Sequence, residues 1–171
     1  MENNLETIVF GGGCFWCTEA IFQRVPGVIT VTSGYSGGDT ENPTYEEVSE
    51  GDSGHVEVVK VDYDKSITHF EKLLQIFFAT HDPTSINKQG NDEGEQYKSV
   101  IFYTNEDQKY KSIRLIENLE ESEHYQKPIV TEVVRLEKFY EAEDYHKNYY
   151  NNHKEAPYCK IVIEPKLNKF I

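Results

Sequence analysis

The chain has 171 residues, with 17 Lys and Arg against 30 Asp and Glu and a formal net charge of −13. That length is enough for a single catalytic domain, residues 1–171, with a real core, and the charge excludes nucleic-acid and anionic-membrane partners. No apolar run approaches the roughly 18 residues of a membrane span, and Met1–Glu6 is too polar and acidic for a secretory leader, so the expected compartment is the cytoplasm.

Leu5 to Phe10 are mostly apolar and β-branched and read as a buried strand. Gly11-Gly12-Gly13 then permits a sharp turn and close approach to a bound group. From Cys14 to Val25 a helical spacing places Phe15, Thr18, Phe22 and Val25 on one side, until Pro26-Gly27 ends the element. Val28 to Tyr35 form a second strand, broken by Gly34, Gly37 and Gly38. Asn42-Pro43-Thr44 turns into a short helical stretch over Tyr45 to Ser49, and Gly51-Asp52-Ser53-Gly54 is another turn.

His55 to Tyr63 form the clearest strand, with Val56 and Val58 on one face and Glu57, Val59, Val61 and Tyr63 on the other. Thr68 and Glu71 have capping-box spacing before an amphipathic helix of Phe70, Leu73, Leu74, Phe77 and Phe78. His81 to Gln96 is a long polar loop, of the kind that is uncommon unless functional. A strand over Ser99 to Tyr103 precedes a helix capped by Asn105 and Gln108, with a stripe of Tyr110, Ile113, Ile116 and Leu119. Ile129 to Leu136 is expected to be a last core strand. From about residue 139 the chain becomes an irregular tail, with a short helix near Asp144.

This alternation of strands and helices predicts an α+β two-layer sandwich. The expected form is a ferredoxin-like mixed sheet with helices packed on it, and the loop-rich tail wrapping over the sheet.

The chemistry is concentrated at Cys14-Phe15-Trp16-Cys17. Cys14 stands at a helix entrance, where unpaired N–H groups and the macrodipole favour a thiolate, the reactive form of cysteine. Cys-x-x-Cys spacing at a helix start serves a redox disulfide, as in general dithiol–disulfide oxidoreductases. It also supplies half of a zinc site, for which His153 and Cys159 would have to complete the set. Three cysteines is an odd count, which argues against a purely structural disulfide framework.

Several blocks together resemble the peptide methionine sulfoxide reductase A family. They are Gly13–Trp16, Gly34–Gly38, Asn42–Tyr45, Gly54–Glu57, His81–Thr84, Gln89–Tyr97 and Phe139–His146, in family order from about Val9 to Tyr149. The resemblance implies thioredoxin-dependent reduction of the S epimer of methionine sulfoxide, free or in oxidised proteins. No metal or bound cofactor is implied, since the electrons pass through thiols; a monomer is expected.

Carried over residue by residue, the resemblance makes Cys14 the nucleophile that ends as a sulfenic acid. Glu57 becomes the proton donor, its pKa raised by the apolar neighbours of its strand. Tyr45 and Tyr97 hydrogen-bond the sulfoxide oxygen, Asp92 anchors the polar end of the site, and Phe15 and Trp16 accept the substrate methyl group. Position 17 is Cys here where many family members carry Gly, and Cys159 resembles the C-terminal resolving cysteine. Cys17 and Cys159 are therefore both candidates to resolve the sulfenic acid through a disulfide that thioredoxin then reduces.

Overall fold

The computed structural model describes residues 4–51 and 53–170. Met1–Asn3, the start of the acidic segment, and Asp52, in the expected 51–54 turn, lie outside the described residues.

The elements are β1 (Leu5–Gly11), α1 (Phe15–Phe22), β2 (Val28–Ser36), α2 (Tyr45–Ser49), β3 (Val56–Asp64) and α3 (Phe70–Ala79), then β4 (Lys88–Gln89), β5 (Asp92–Glu93), β6 (Val100–Tyr103) and α4 (Glu106–Glu121). The tail carries β7 (Glu132–Arg135), β8 (Phe139–Glu141), α5 (Tyr149–Asn152), a π-helical turn (Cys159–Ile163) and α6 (Glu164–Phe170). Six strands form one sheet in the order β7-β6-β1-β3-β2-β8, and β4 pairs with β5 in a small hairpin. Within the central β6-β1-β3-β2 set every adjacent pair is antiparallel. Both split βαβ connections are present, so the ferredoxin-like expectation holds. Parallel pairing of β6 with β7 makes the sheet mixed.

Alternation along the strands sorts the two faces. Ile8, Phe10, Val59, Val61, Tyr63 and Ile101 join Phe22, Leu73, Leu74 and Phe77 in the main core. Phe10 lies between Phe22, 5.2 Å away, and Phe77, 4.6 Å away, which ties α1 and α3 to β1. The other face buries a smaller set: Val9, Val56, Val58, Val100 and Phe102.

Three expectations about these elements are corrected. The Thr68/Glu71 capping box does not form: His69 is the N-cap, without a side-chain bond, because buried Thr68 packs beneath the Gly27 turn instead. On α4, Tyr110 is 64% exposed and Ile113 39%, while Gln108 and Ser112 face inward. Gln108 sets that rotation, since its amide donates to Thr7 O and its oxygen accepts from Thr104 N–H. The Ile129–Leu136 strand is confined to β7, a mostly exposed sheet edge rather than core.

The tail is more ordered than expected and packs chiefly against α1 rather than over the sheet. β8 extends the sheet beside β2, where Gly34 leaves room for it: a Cβ there would lie 2.4 Å from both the Phe139 ring and the Tyr140 carbonyl. Beyond it, Tyr150, Cys159, Ile163 and Leu167 join the main core. This explains why α1 is apolar almost all round: it is covered by the sheet on one side and the tail on the other.

Candidate active site

β1 ends on the three glycines that lead to α1. Gly13 adopts φ +97°, and a Cβ there would meet Gln89 at 2.9 Å, so a bare glycine lets the 81–96 loop dock against the turn. Gln89 is itself clamped, its side chain accepting from Asp82 N–H at 2.9 Å and donating to Asp82 O at 2.6 Å. Cys14 is the N-cap of α1, with extended backbone, and is 8% exposed.

Glu57 reaches this helix entrance from β3. It is 1% exposed, and its Oε1 accepts the Phe15 N–H at 3.2 Å. Its Oε2 is buried without a partner among the described residues. Burial pushes the Glu57 carboxyl up to about 8, against the pull of the Phe15 N–H bond, so the group is a neutral acid at neutral pH.

The Cys14 thiol departs from expectation. Burial pushes it well above its ordinary value, and neighbouring negative charge on Glu57 and Cys17 adds to this. The Tyr158 hydroxyl and Trp16 N–H pull the other way without prevailing. Loss of hydration outweighs the helix terminus, and the resting sulfur is a thiol. Burial also raises the Cys17 thiol, opposed by the Lys166 charge and the Tyr158 hydroxyl.

The phenols converge on the same point. Tyr45 opens α2, which has a full capping box between Thr44 and Glu47. Its N–H donates to Glu143 Oε2 at 2.9 Å, and Tyr35 Oη donates to Glu143 Oε1 at 2.8 Å. Burial, followed by Glu57 and Cys14, pushes the Tyr45 phenol up to about 12. The same influences, with Tyr45 itself, raise Tyr97, which lies in a 3-10 turn over Glu95–Tyr97. Both therefore remain hydrogen-bond donors at neutral pH.

Trp16 is half-buried and held on three sides. Its indole N–H donates to His146 Nδ1 at 3.0 Å, its face stacks on Tyr149 at 3.8 Å, and the Tyr158 ring meets it edge-on at 5.6 Å. Phe15 is fully buried behind Tyr45, Tyr35 and His146, so it backs the aromatic wall rather than forming its open surface. Asp92 is half-buried and accepts from Tyr158 Oη at 2.7 Å.

Cys14, Glu57, Tyr45, Tyr97, Asp92, Cys17, Phe15 and Trp16 are thus gathered at one place. Cys159 follows Tyr158 but is itself fully buried, its side of the tail packed into the core. Sequence reasoning missed the parts played by Tyr158, His146, Glu143 and Tyr35. Tyr35, Glu143 and His146 lie in the blocks quoted above and Tyr158 adjoins Cys159, but only tertiary contact reveals what they touch. Among the described residues, no three His, Cys, Asp or Glu side chains are grouped to hold a metal ion.

The profile of the peptide methionine sulfoxide reductase family matches residues 6–171. The chain belongs to this family. A peptide methionine sulfoxide reductase MsrA of Sulfolobus acidocaldarius is 53% identical over 167 residues, which cover 98% of this chain and 94% of the relative. The fold matches reduced Mxr1 from Saccharomyces cerevisiae with a TM-score of 0.85 and 27% identity, covering 91% of this chain and 90% of Mxr1. It also matches Mxr1 solved in complex with Trx2, with a TM-score of 0.60 and 19% identity, covering 85% of each chain. This methionine sulfoxide reductase is an oxidoreductase of the MsrA type.

Proposed function

We propose that the protein reduces the S epimer of methionine sulfoxide, free or in oxidised proteins, with Cys14 as nucleophile and Glu57 as acid. The observation that carries these roles is Glu57: a buried, neutral carboxyl beside Cys14, one oxygen held by Phe15 N–H and the other without a partner. A protonated carboxyl needs an acceptor for its O–H, and the sulfoxide oxygen is one. Trp16 offers the methyl group and thioether an aromatic face, and Phe15 backs that wall. Tyr45 and Tyr97 donate to the sulfoxide oxygen, and Asp92 holds the polar end of the substrate.

In the reaction, Cys14 sulfur attacks the substrate sulfur while Glu57 gives its proton to the oxygen. The S–O bond of the substrate breaks and oxygen passes to Cys14 as a sulfenic acid. Glu57 takes up the proton that the Cys14 thiol loses. Substrate sulfur is reduced, Cys14 is oxidised, and every atom of thiol and sulfoxide appears in sulfenic acid and thioether. Protonation of the sulfoxide makes its sulfur electrophilic enough for a nucleophile that rests as a thiol.

Cys17 or Cys159 then displaces water from the sulfenic acid, and the resulting disulfide passes to thioredoxin. The solved complex of Mxr1 with Trx2 supports that reductant. The proposed setting is a single catalytic domain acting as a monomer in the cytoplasm. No helix among the described residues is long and apolar enough to cross a membrane.

Incubation with each epimer of methionine sulfoxide and dithiothreitol, read by chromatography of methionine, tests the reading. The S epimer is expected to be consumed and Cys14→Ser to be inactive. Equal activity in Cys14→Ser, or insulin disulfide reduction without sulfoxide reduction, would replace it with a general dithiol–disulfide oxidoreductase.

A further inference from the structure

Tyr158 joins two thiols to a carboxylate. Its hydroxyl donates to Asp92 Oδ2 at 2.7 Å, lies 3.8 Å from Cys17 Sγ and also hydrogen-bonds Cys14. A phenol has one proton to give. With that proton committed to Asp92, the oxygen offers the sulfurs a lone pair, so a thiol is the donor. A continuous path follows: Cys17 S–H to Tyr158 Oη, then Tyr158 O–H to Asp92 Oδ2.

We propose that this path is a proton relay for the resolving step, in which Tyr158 passes the Cys17 thiol proton to Asp92 as Cys17 attacks the Cys14 sulfenic acid. The proposal rests on the sulfenic acid of the preceding reading. The Cys14–Cys17 S–S bond forms and the S–O bond of the sulfenic acid breaks. The departing hydroxide takes the Glu57 proton and leaves as water. Asp92 holds the proton from Cys17 until exchange with solvent restores both carboxyls. Cys17 sulfur is oxidised and Cys14 sulfur reduced to the disulfide level, so the electrons balance.

This arrangement selects Cys17 over Cys159 as the first resolving thiol. The charged and titratable groups that act on Cys17 are Lys166 of α6, Asp92 of β5, and Tyr158 and Cys159 of the tail, with Cys14 of the helix entrance on its other side. Lys166 favours a thiolate but cannot accept a proton, whereas Asp92 can. Cys159 is fully buried, and burial is what acts on its thiol. Its charge acts on the Cys17 thiol, and it is the remaining thiol to receive the oxidation afterwards.

The test is a single turnover with S-methionine sulfoxide and no external reductant, quenched with acid at successive times. Methionine is read by chromatography and the Cys14–Cys17 disulfide by mass mapping. In the unsubstituted protein, disulfide closure is expected to be nearly level from about pH 5.5 to about pH 7.5, because the base is built in and Glu57 still holds the proton that the departing hydroxide takes. In Tyr158→Phe it should fall about 100-fold near pH 6 and rise about tenfold per pH unit across that range, as hydroxide takes over. Asp92→Asn keeps an acceptor for the phenol and should show the same slope; it decides the matter if Tyr158→Phe does not fold. A loss that is equal at every pH, or closure unchanged in both variants, overturns the relay. Absence of methionine from the unsubstituted protein overturns the functional reading itself, and the relay with it.

Discussion

Phe15 N–H donates to Glu57 Oε1 at 3.2 Å, so the strand bearing the proposed acid and the helix bearing the proposed nucleophile are joined one residue from the Cys14 sulfur. The bond orients the carboxyl and leaves Oε2 free to face a substrate. It does not ionise the group, because one backbone donor is worth less than the hydration that burial removes.

Glu57 should therefore cost stability while serving catalysis. Between its ordinary value of 4.5 and about 8, the unfolded chain has released a proton that the folded protein keeps. Stability falls as pH rises through that window and is level above it, by up to roughly 5 kcal/mol in all. Glu57→Gln keeps an acceptor for Phe15 N–H and removes the titration. Urea unfolding at pH 5 and pH 8.5 should show a decline in the unsubstituted protein that the variant lacks. Methionine formation in the variant should drop at least about 100-fold, and in the unsubstituted protein it should fall as pH rises through about 8.

Cys14 should be slow toward alkylating reagents in the resting protein. Burial raises its thiol, so its thiolate appears only toward high pH. Iodoacetamide labelling, located by mass mapping, should be weak near pH 7 and rise about tenfold per pH unit toward pH 9. Glu57→Gln should move that curve to lower pH, because the Glu57 charge opposes the thiolate. A fast reaction at pH 7 would contradict the thiol resting state.

Tyr45 and Tyr97 should act as fixed donors. Tyr45→Phe and Tyr97→Phe are each expected to slow methionine formation roughly 10- to 100-fold, with a larger loss in the double variant. The Tyr45 phenol titrates only at about 12, so it should add no break to the pH–rate profile in the neutral range. Rapid-quench measurement of methionine isolates this step from regeneration.

Glu19 should hold the tail. Its carboxylate, buried on α1, accepts Asn148 N–H at 2.9 Å and Tyr149 N–H at 3.2 Å, which places Tyr149 on Trp16. Glu19→Ala should cost about 1–3 kcal/mol and release the tail to limited proteolysis near residues 148–153. Trp16 is the only tryptophan, so its fluorescence should report loss of the Tyr149 stack.

Much of the fold was legible because burial leaves a periodic trace. The β3 alternation put Val59 and Val61 with the core and carried Glu57 to the same face, as the structure has it. The α4 stripe misled because two buried polar residues, Gln108 and Ser112, set the inward face through hydrogen bonds that periodicity does not register. The tail looked irregular because its apolar residues are spaced to fit α1 rather than any period of their own.

The chain order of residues alone determined the family and singled out the proposed reacting group: a cysteine after three glycines, at a helix entrance, among blocks specific enough to mark that family. Whether that sulfur rests as thiol or thiolate was decided by the tertiary structure. Ionisation depends on how much water surrounds the atom and which charges face it, and those come from β3 and from a tail more than 130 residues downstream. Local sequence sets the helix dipole; only the folded chain sets the desolvation that outweighs it.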